Sequence, residues 1–153
     1  MKGVVVYDTS YENTKKIAET MAETLKDSGI EVDLFYVKDA KKLSANDYDF
    51  LVLGSPTRMN TMSWAVKGLI LRLKSKEWAG KPFIAFDTEL TSVIEKNGPS
   101  AAEKIAERLR EKKMNQLLPV LKTAVLGIKG PLKEGEIERT KEYTRGLVAK
   151  LRG

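Results

Sequence analysis

Apolar runs and amphipathic stretches take turns along the chain. Gly3-Val4-Val5-Val6-Tyr7 is continuous and β-branched, the pattern of a strand buried on both faces. From Asn13 to about Ser28 the period changes: Ile17, Met21 and Leu25 recur at every fourth position with Ala18 and Ala22 beside them. That spacing predicts a helix with one apolar face, and Gly29 ends it. Glu31 to Tyr36 half-alternates, as a less buried strand does, and Lys38 to Asp47 reads as a short polar helix or turn. Asp49-Phe50-Leu51-Val52-Leu53-Gly54 is a second buried strand, followed by a helix from about Met62 to Lys76 that carries Val66, Ile70 and Leu73. The turn Ala79-Gly80-Lys81-Pro82 leads into a strand at Phe83-Ile84-Ala85-Phe86 and an irregular stretch from Asp87 to Pro99. Ser100 opens a helix with Ala101, Ile105 and Leu109 on one stripe; Thr123 to Ile128 is a last strand, and Lys133 to Leu151 a closing helix.

Strands and helices therefore alternate strictly, which predicts an α/β fold: a parallel sheet with helices on both faces. No repeat or linker interrupts the 153 residues, a length that suits one domain spanning 1–153. In such a sheet a ligand binds outside the carboxyl ends of the strands, where the strand order reverses. The loops after strands one, three and four are the segments to read for chemistry.

Composition narrows that chemistry sharply. The chain has no Cys and no His. Disulfides, thiolate nucleophiles, Cys/His zinc sites and Ser-His-Asp triads are all excluded, so redox or group-transfer work would fall to a bound cofactor. No apolar run approaches ~18 residues, so no membrane partner is expected, and without a leader the cytoplasm is the expected location. The net charge of +6 is uneven: residues 1–99 hold 14 basic and 14 acidic side chains, whereas residues 100–153 hold 13 and 7. Because acids interleave with the bases there, the surplus reads as a solvated helical surface, and nucleic acid is not expected as a partner.

The loop after the first strand reads Asp8-Thr9-Ser10-Tyr11-Glu12-Asn13-Thr14. It leaves a buried strand and enters a helix, where free N–H groups and the positive end of the helix dipole favour an anion. Thr9, Ser10, Asn13 and Thr14 add neutral side-chain donors that could surround a phosphate; the plainer alternative is that Ser10 or Asn13 caps the helix. Spaced glycines and a Gly-Lys-Ser/Thr end are missing, so this is not a Walker loop.

Tyr7 to Thr14 resembles the phosphate loop of flavodoxins, Thr/Ser-x-Thr/Ser-Gly-Asn-Thr, and is similar to the same segment in the flavodoxin domain of flavodiiron proteins. Glu12 stands where those domains commonly carry Gly; it lacks that residue's access to positive φ and adds a carboxylate that must point to solvent or pair with Lys15 or Lys16. Gly54-Ser55-Pro56-Thr57 resembles the opening of the second flavin loop. Arg58 then occupies the place where flavodoxins often stack an aromatic ring, while Met59 and Met62 could cover the ring edge or fill the core. Trp64, at the start of a helix, reads as a packing residue. Gly98 to Ile105 and Ile128 to Glu136 resemble the corresponding segments of archaeal flavodoxin-like proteins, so the likeness runs along almost the whole chain.

The resemblance implies a flavodoxin-like, doubly wound, five-stranded parallel sheet in the order 2-1-3-4-5. It implies FMN as cofactor, held by Thr9, Ser10, Tyr11, Glu12, Asn13 and Thr14 in the first loop, and by Ser55, Pro56, Thr57, Arg58, Met59 and Asn60 in the second. Asp87, Thr88 and Glu89 would follow in the third, where the family binds the pyrimidine edge through backbone groups. The function implied is electron transfer with redox proteins or small-molecule donors and acceptors; an FMN-dependent quinone or flavin reductase, or a flavin-free binding module, are the alternatives. A cation at Arg58 near the ring would stabilise the reduced flavin anion by ~4 kcal/mol at most, making the second potential less negative than in strongly acidic flavodoxins.

Overall fold

A computed structural model describes residues 1–153. Its elements are β1 (Lys2–Tyr7), α1 (Asn13–Asp27), β2 (Glu31–Tyr36), β3 (Phe50–Pro56), α2 (Trp64–Arg72), α3 (Ser75–Trp78), β4 (Pro82–Leu90), α4 (Thr91–Glu95), α5 (Ala101–Glu111), β5 (Asn115–Gln116), β6 (Leu121–Val125) and α6 (Glu136–Arg152). The sheet is parallel throughout and runs β2-β1-β3-β4, with β5 and β6 both pairing β4 at its far side. The expected order 2-1-3-4-5 holds, with the fifth position shared by two pieces of strand.

Alternate residues of the central strands feed two cores, as the period of two requires. Val4, Val6, Leu51, Leu53, Phe83 and Ala85 pack toward α2 and α5, joining Val66, Leu69, Ile105 and the wholly buried Trp78. Val5, Val52, Ile84 and Phe86 pack toward α1 and α6, against Ile17, Met21, Leu25 and Leu147. Helices therefore cover both faces, which is why the central strands read as uninterrupted apolar runs.

Several boundaries differ from the sequence expectation, each for a local reason. Strand β4 does not stop at Phe86: Thr88, Glu89 and Leu90 pair with Thr123, Ala124 and Val125 of β6, and Thr91–Glu95 then form α4. The helix expected from Met62 to Lys76 is two helices, because Leu73 is extended (ψ 117°) and buried between them. The last strand ends at Val125 rather than Ile128; Leu126 N–H instead bonds the Pro131 carbonyl at 3.0 Å and a turn at Gly127–Gly130 follows. The closing helix starts at Glu136, after Gly135 at φ 90°, and the polar stretch before β3 holds two 3-10 turns, Val37–Asp39 and Ala45–Asp47.

Candidate functional site

The carboxyl ends of β1, β3 and β4 open into a cleft of about 410 Å³. Its walls are Thr9, Ser10, Tyr11, Asn13 and Thr14 after β1; Pro56, Thr57, Arg58 and Met59 after β3; Thr88, Glu89 and Leu90 at the end of β4; and Val125 and Ile128 after β6. This is the reversal point of the strand order, since β1 lies between β2 and β3.

The first loop forms the anion-friendly end. Neither Ser10 nor Asn13 caps α1; the N-cap is Glu12, and no side chain accepts from the first-turn N–H groups. Those donors stay open toward the cleft with the helix dipole behind them. The Thr9 hydroxyl oxygen is buried and has no hydrogen-bond partner. Deeper in, the hydroxyls of Thr14 and Thr88 bond each other at 2.8 Å, tying α1 to β4. Gly130, at φ +100°, leans on Asn13 so closely that a Cβ there would lie 2.7 Å from the Asn13 amide.

Glu12 does not line the cleft. Its backbone is left-handed (φ 69°), the conformation in which a side chain is strained and Gly is not. Its carboxylate turns to solvent and pairs with Lys15 at 3.4 Å. Glu12→Gly is expected to raise the unfolding free energy by ~1 kcal/mol, read as an upward shift of the urea midpoint with unchanged slope. An unchanged or lower midpoint would refute strain at this turn.

The second loop is a tight hairpin. Arg58 and Thr61 exchange backbone hydrogen bonds at 3.0 and 3.1 Å, with Met59 and Asn60 between them at φ 51° and 65°. Positive φ at both central positions is the signature of a type I′ turn. Met59 is thrust out at the tip (96% exposed), whereas Met62 is core. The Arg58 guanidinium lies over the Tyr11 ring, 5.9 Å from its centroid, so the two cleft walls touch. Thr57 accepts the Ala101 N–H at 3.0 Å, which docks the loop on α5. Trp64 is not a packing residue: it is 84% exposed, off the buried stripe of α2.

Among the residues expected to touch a cofactor, Ser55, Asn60 and Asp87 also stand outside the cleft lining. The Ser55 hydroxyl is spent within the fold, donating to the Pro56 carbonyl and accepting the Ser63 N–H at 2.9 Å. Asn60 is a turn residue. Asp87 is buried inside β4 and accepts the Ala102 N–H at 2.9 Å. Leu90, Val125 and Ile128 were not anticipated; the only sign of them in the sequence is the apolar Leu126-Gly127-Ile128 next to a Gly-Pro turn.

The model of the flavodoxin domain family matches residues 4–128. A flavodoxin of Aquifex aeolicus is 45% identical over 67 residues, which are 43% of this chain and 36% of that protein; the match thus spans about a third of the curated relative. The solved structure of a flavodoxin from the domain Archaea superposes with a TM-score of 0.84 at 22% identity, covering 100% of both chains. The rubredoxin:oxygen oxidoreductase of Desulfovibrio gigas superposes with a TM-score of 0.76 at 23% identity, over 99% of this chain and 37% of that one. At these identities the two structures speak for the fold.

Proposed function

The chain belongs to the flavodoxin domain family, and from that premise we propose that it binds FMN in the cleft and carries electrons. The observation that carries the reading is the buried, unpartnered Thr9 hydroxyl beside the uncapped N-terminus of α1. A phosphate monoester is the ligand such donors suit, because each is a fixed neutral donor with no partner of its own. Bound FMN supplies one- and two-electron chemistry through its isoalloxazine ring.

In this reading the protein holds, orients and tunes. Thr9, Ser10, Asn13 and Thr14 take the phosphate end, while Tyr11, Arg58 and Met59 flank the ring and Thr88 and Glu89 form the floor beside it. Arg58 sets a positive charge near the ring. The electron donor and acceptor are redox proteins or small molecules. Residues 1–153 act as one unit, and the cytoplasm is the proposed location; no helix is long and apolar enough to cross a membrane.

Thr9→Val separates a binding residue from a structural one. It removes the hydroxyl and keeps the shape, so FMN affinity is expected to fall about tenfold (~1.4 kcal/mol) while the FMN-free protein gains ~1 kcal/mol by losing an unsatisfied buried group. Affinity is read from quenching of flavin fluorescence, stability from urea unfolding. No saturable FMN binding by the wild-type protein would overturn the reading itself.

A further inference from the structure

Asp87 and Glu89 are two residues apart on β4, so their side chains leave the same face of the sheet. Both are buried, with exposures of 0% and 2%. Asp87 Oδ2 accepts the Ala102 N–H, and the Ser100 and Thr57 hydroxyls also face its carboxyl, whereas both Glu89 oxygens meet no donor from the rest of the protein. Two ionised carboxylates cannot satisfy each other in such a place; one proton between them can, because the protonated carboxyl donates and the other accepts. Asp87 faces the N-terminus of α5 and holds its N–H bond, both of which favour the anion there. Glu89 has no such support, so the proton resides on Glu89. The other charged or titratable groups around it are Lys122 of β6 and Glu103 of α5, which are bridged to each other, and Tyr11 and Arg58, which line the same cleft.

We propose that Glu89 is a neutral carboxylic acid in the wall of the cleft, hydrogen-bonded to the Asp87 carboxylate, and that this proton admits an anionic ligand. With it the Asp87–Glu89 pair carries one buried negative charge; without it, two. The idea rests on the FMN reading for the identity of the ligand, though not for the place of the proton. Burial, then the Asp87 carboxyl, push the Glu89 carboxyl up to about 9. Above that value the second charge appears, and it opposes a phosphate-bearing ligand and a reduced flavin alike.

Two measurements test this. Infrared difference spectra of the FMN-free protein, wild type minus Glu89→Gln, are expected to show the carbonyl stretch of a protonated carboxyl at neutral pH, lost at alkaline pH. FMN titrations of both proteins between about pH 8 and about pH 10 are expected to show wild-type affinity falling on the order of tenfold more than that of Glu89→Gln. Ionisation of the flavin itself occurs in both proteins and cancels in the comparison. Absence of the carbonyl band, or superimposable affinity profiles, overturns the proposal. If neither protein binds FMN at any pH, the FMN reading and the ligand role fall together, and the infrared band still decides where the proton sits.

Discussion

Gly54→Ala is expected to cost about 3 kcal/mol of folding stability and to lower the thermal midpoint by roughly 10 °C. Gly54 of β3 lies opposite Phe86 of β4 in register. A Cβ on Gly54 would fall 2.1 Å from Phe86 Cζ, with two more ring atoms at 2.3 and 2.4 Å. The ring is wholly buried in the core under α1 and α6, so it has no empty space to turn into. The strain would also reach the cleft, because the Gly54 carbonyl accepts the Asp8 N–H at 3.1 Å and β3 runs straight on into Ser55 and Pro56. Phe86→Leu, which shortens the offending group, is expected to recover part of the loss in the double variant. A midpoint within two or three degrees of wild type would show that the ring moves freely. Gly3 and Phe50 repeat the arrangement one strand over, also with a 2.1 Å approach. Across β1, β3 and β4 a glycine thus makes room for the aromatic ring of its neighbour.

That cross-strand logic was invisible in the sequence, where Gly3 and Gly54 looked like strand ends. The parallel sheet was legible because Val4 to Val6 and Phe50 to Leu53 are apolar at every position, which only a strand covered on both faces needs. The length of β4 was not. Asp87, Thr88 and Glu89 look like loop residues, and the first two are buried in a strand because tertiary partners exist for them: the Ala102 N–H, the Thr14 hydroxyl, and Thr123, whose hydroxyl donates to the Asp87 carbonyl at 2.7 Å. The break at Leu73 was equally hidden, since Leu73 follows Val66 and Ile70 at a spacing that one longer helix would also give.

The cleft was legible where a loop carries its own chemistry. Thr9, Ser10, Tyr11, Asn13 and Thr14 stood out by residue type and by position between strand and helix, and they line the cleft; the glycine expected at Glu12 pointed to the positive φ that Glu12 adopts. Ser55 and Asp87 turn their side chains into the fold, and at the end of a strand pattern alone does not say whether a side chain points outward or inward. The same limit hid the meaning of Glu89. In the sequence Glu89 is one more polar residue of an irregular stretch, and its burial beside Asp87 is seen only in the fold.

Glu89→Gln is expected to stabilise the FMN-free protein by ~2 kcal/mol at pH 7. In the unfolded chain Glu89 ionises near its ordinary value of 4.5, whereas in the fold desolvation, with Asp87 beside it, raises it to about 9. Below the lower value both states hold the proton and the group contributes no penalty. As pH climbs from there, the unfolded chain releases the proton and the folded one keeps it, so stability falls by at most ~1.4 kcal/mol per pH unit until the folded group titrates. Two and a half units separate that lower value from pH 7; because relaxation and water in the open cleft soften the cost, ~2 kcal/mol is the expected gain. A glutamine keeps the shape and still donates to the Asp87 carboxylate, but has no proton to lose. Urea unfolding of both proteins should therefore give equal stability near pH 4 and curves that diverge up to pH 9, with the variant above. A constant gap across that range would mean that the gain comes from packing, and a variant less stable at pH 7 would mean that Glu89 is ionised in the fold and held by a counter-charge such as Lys122.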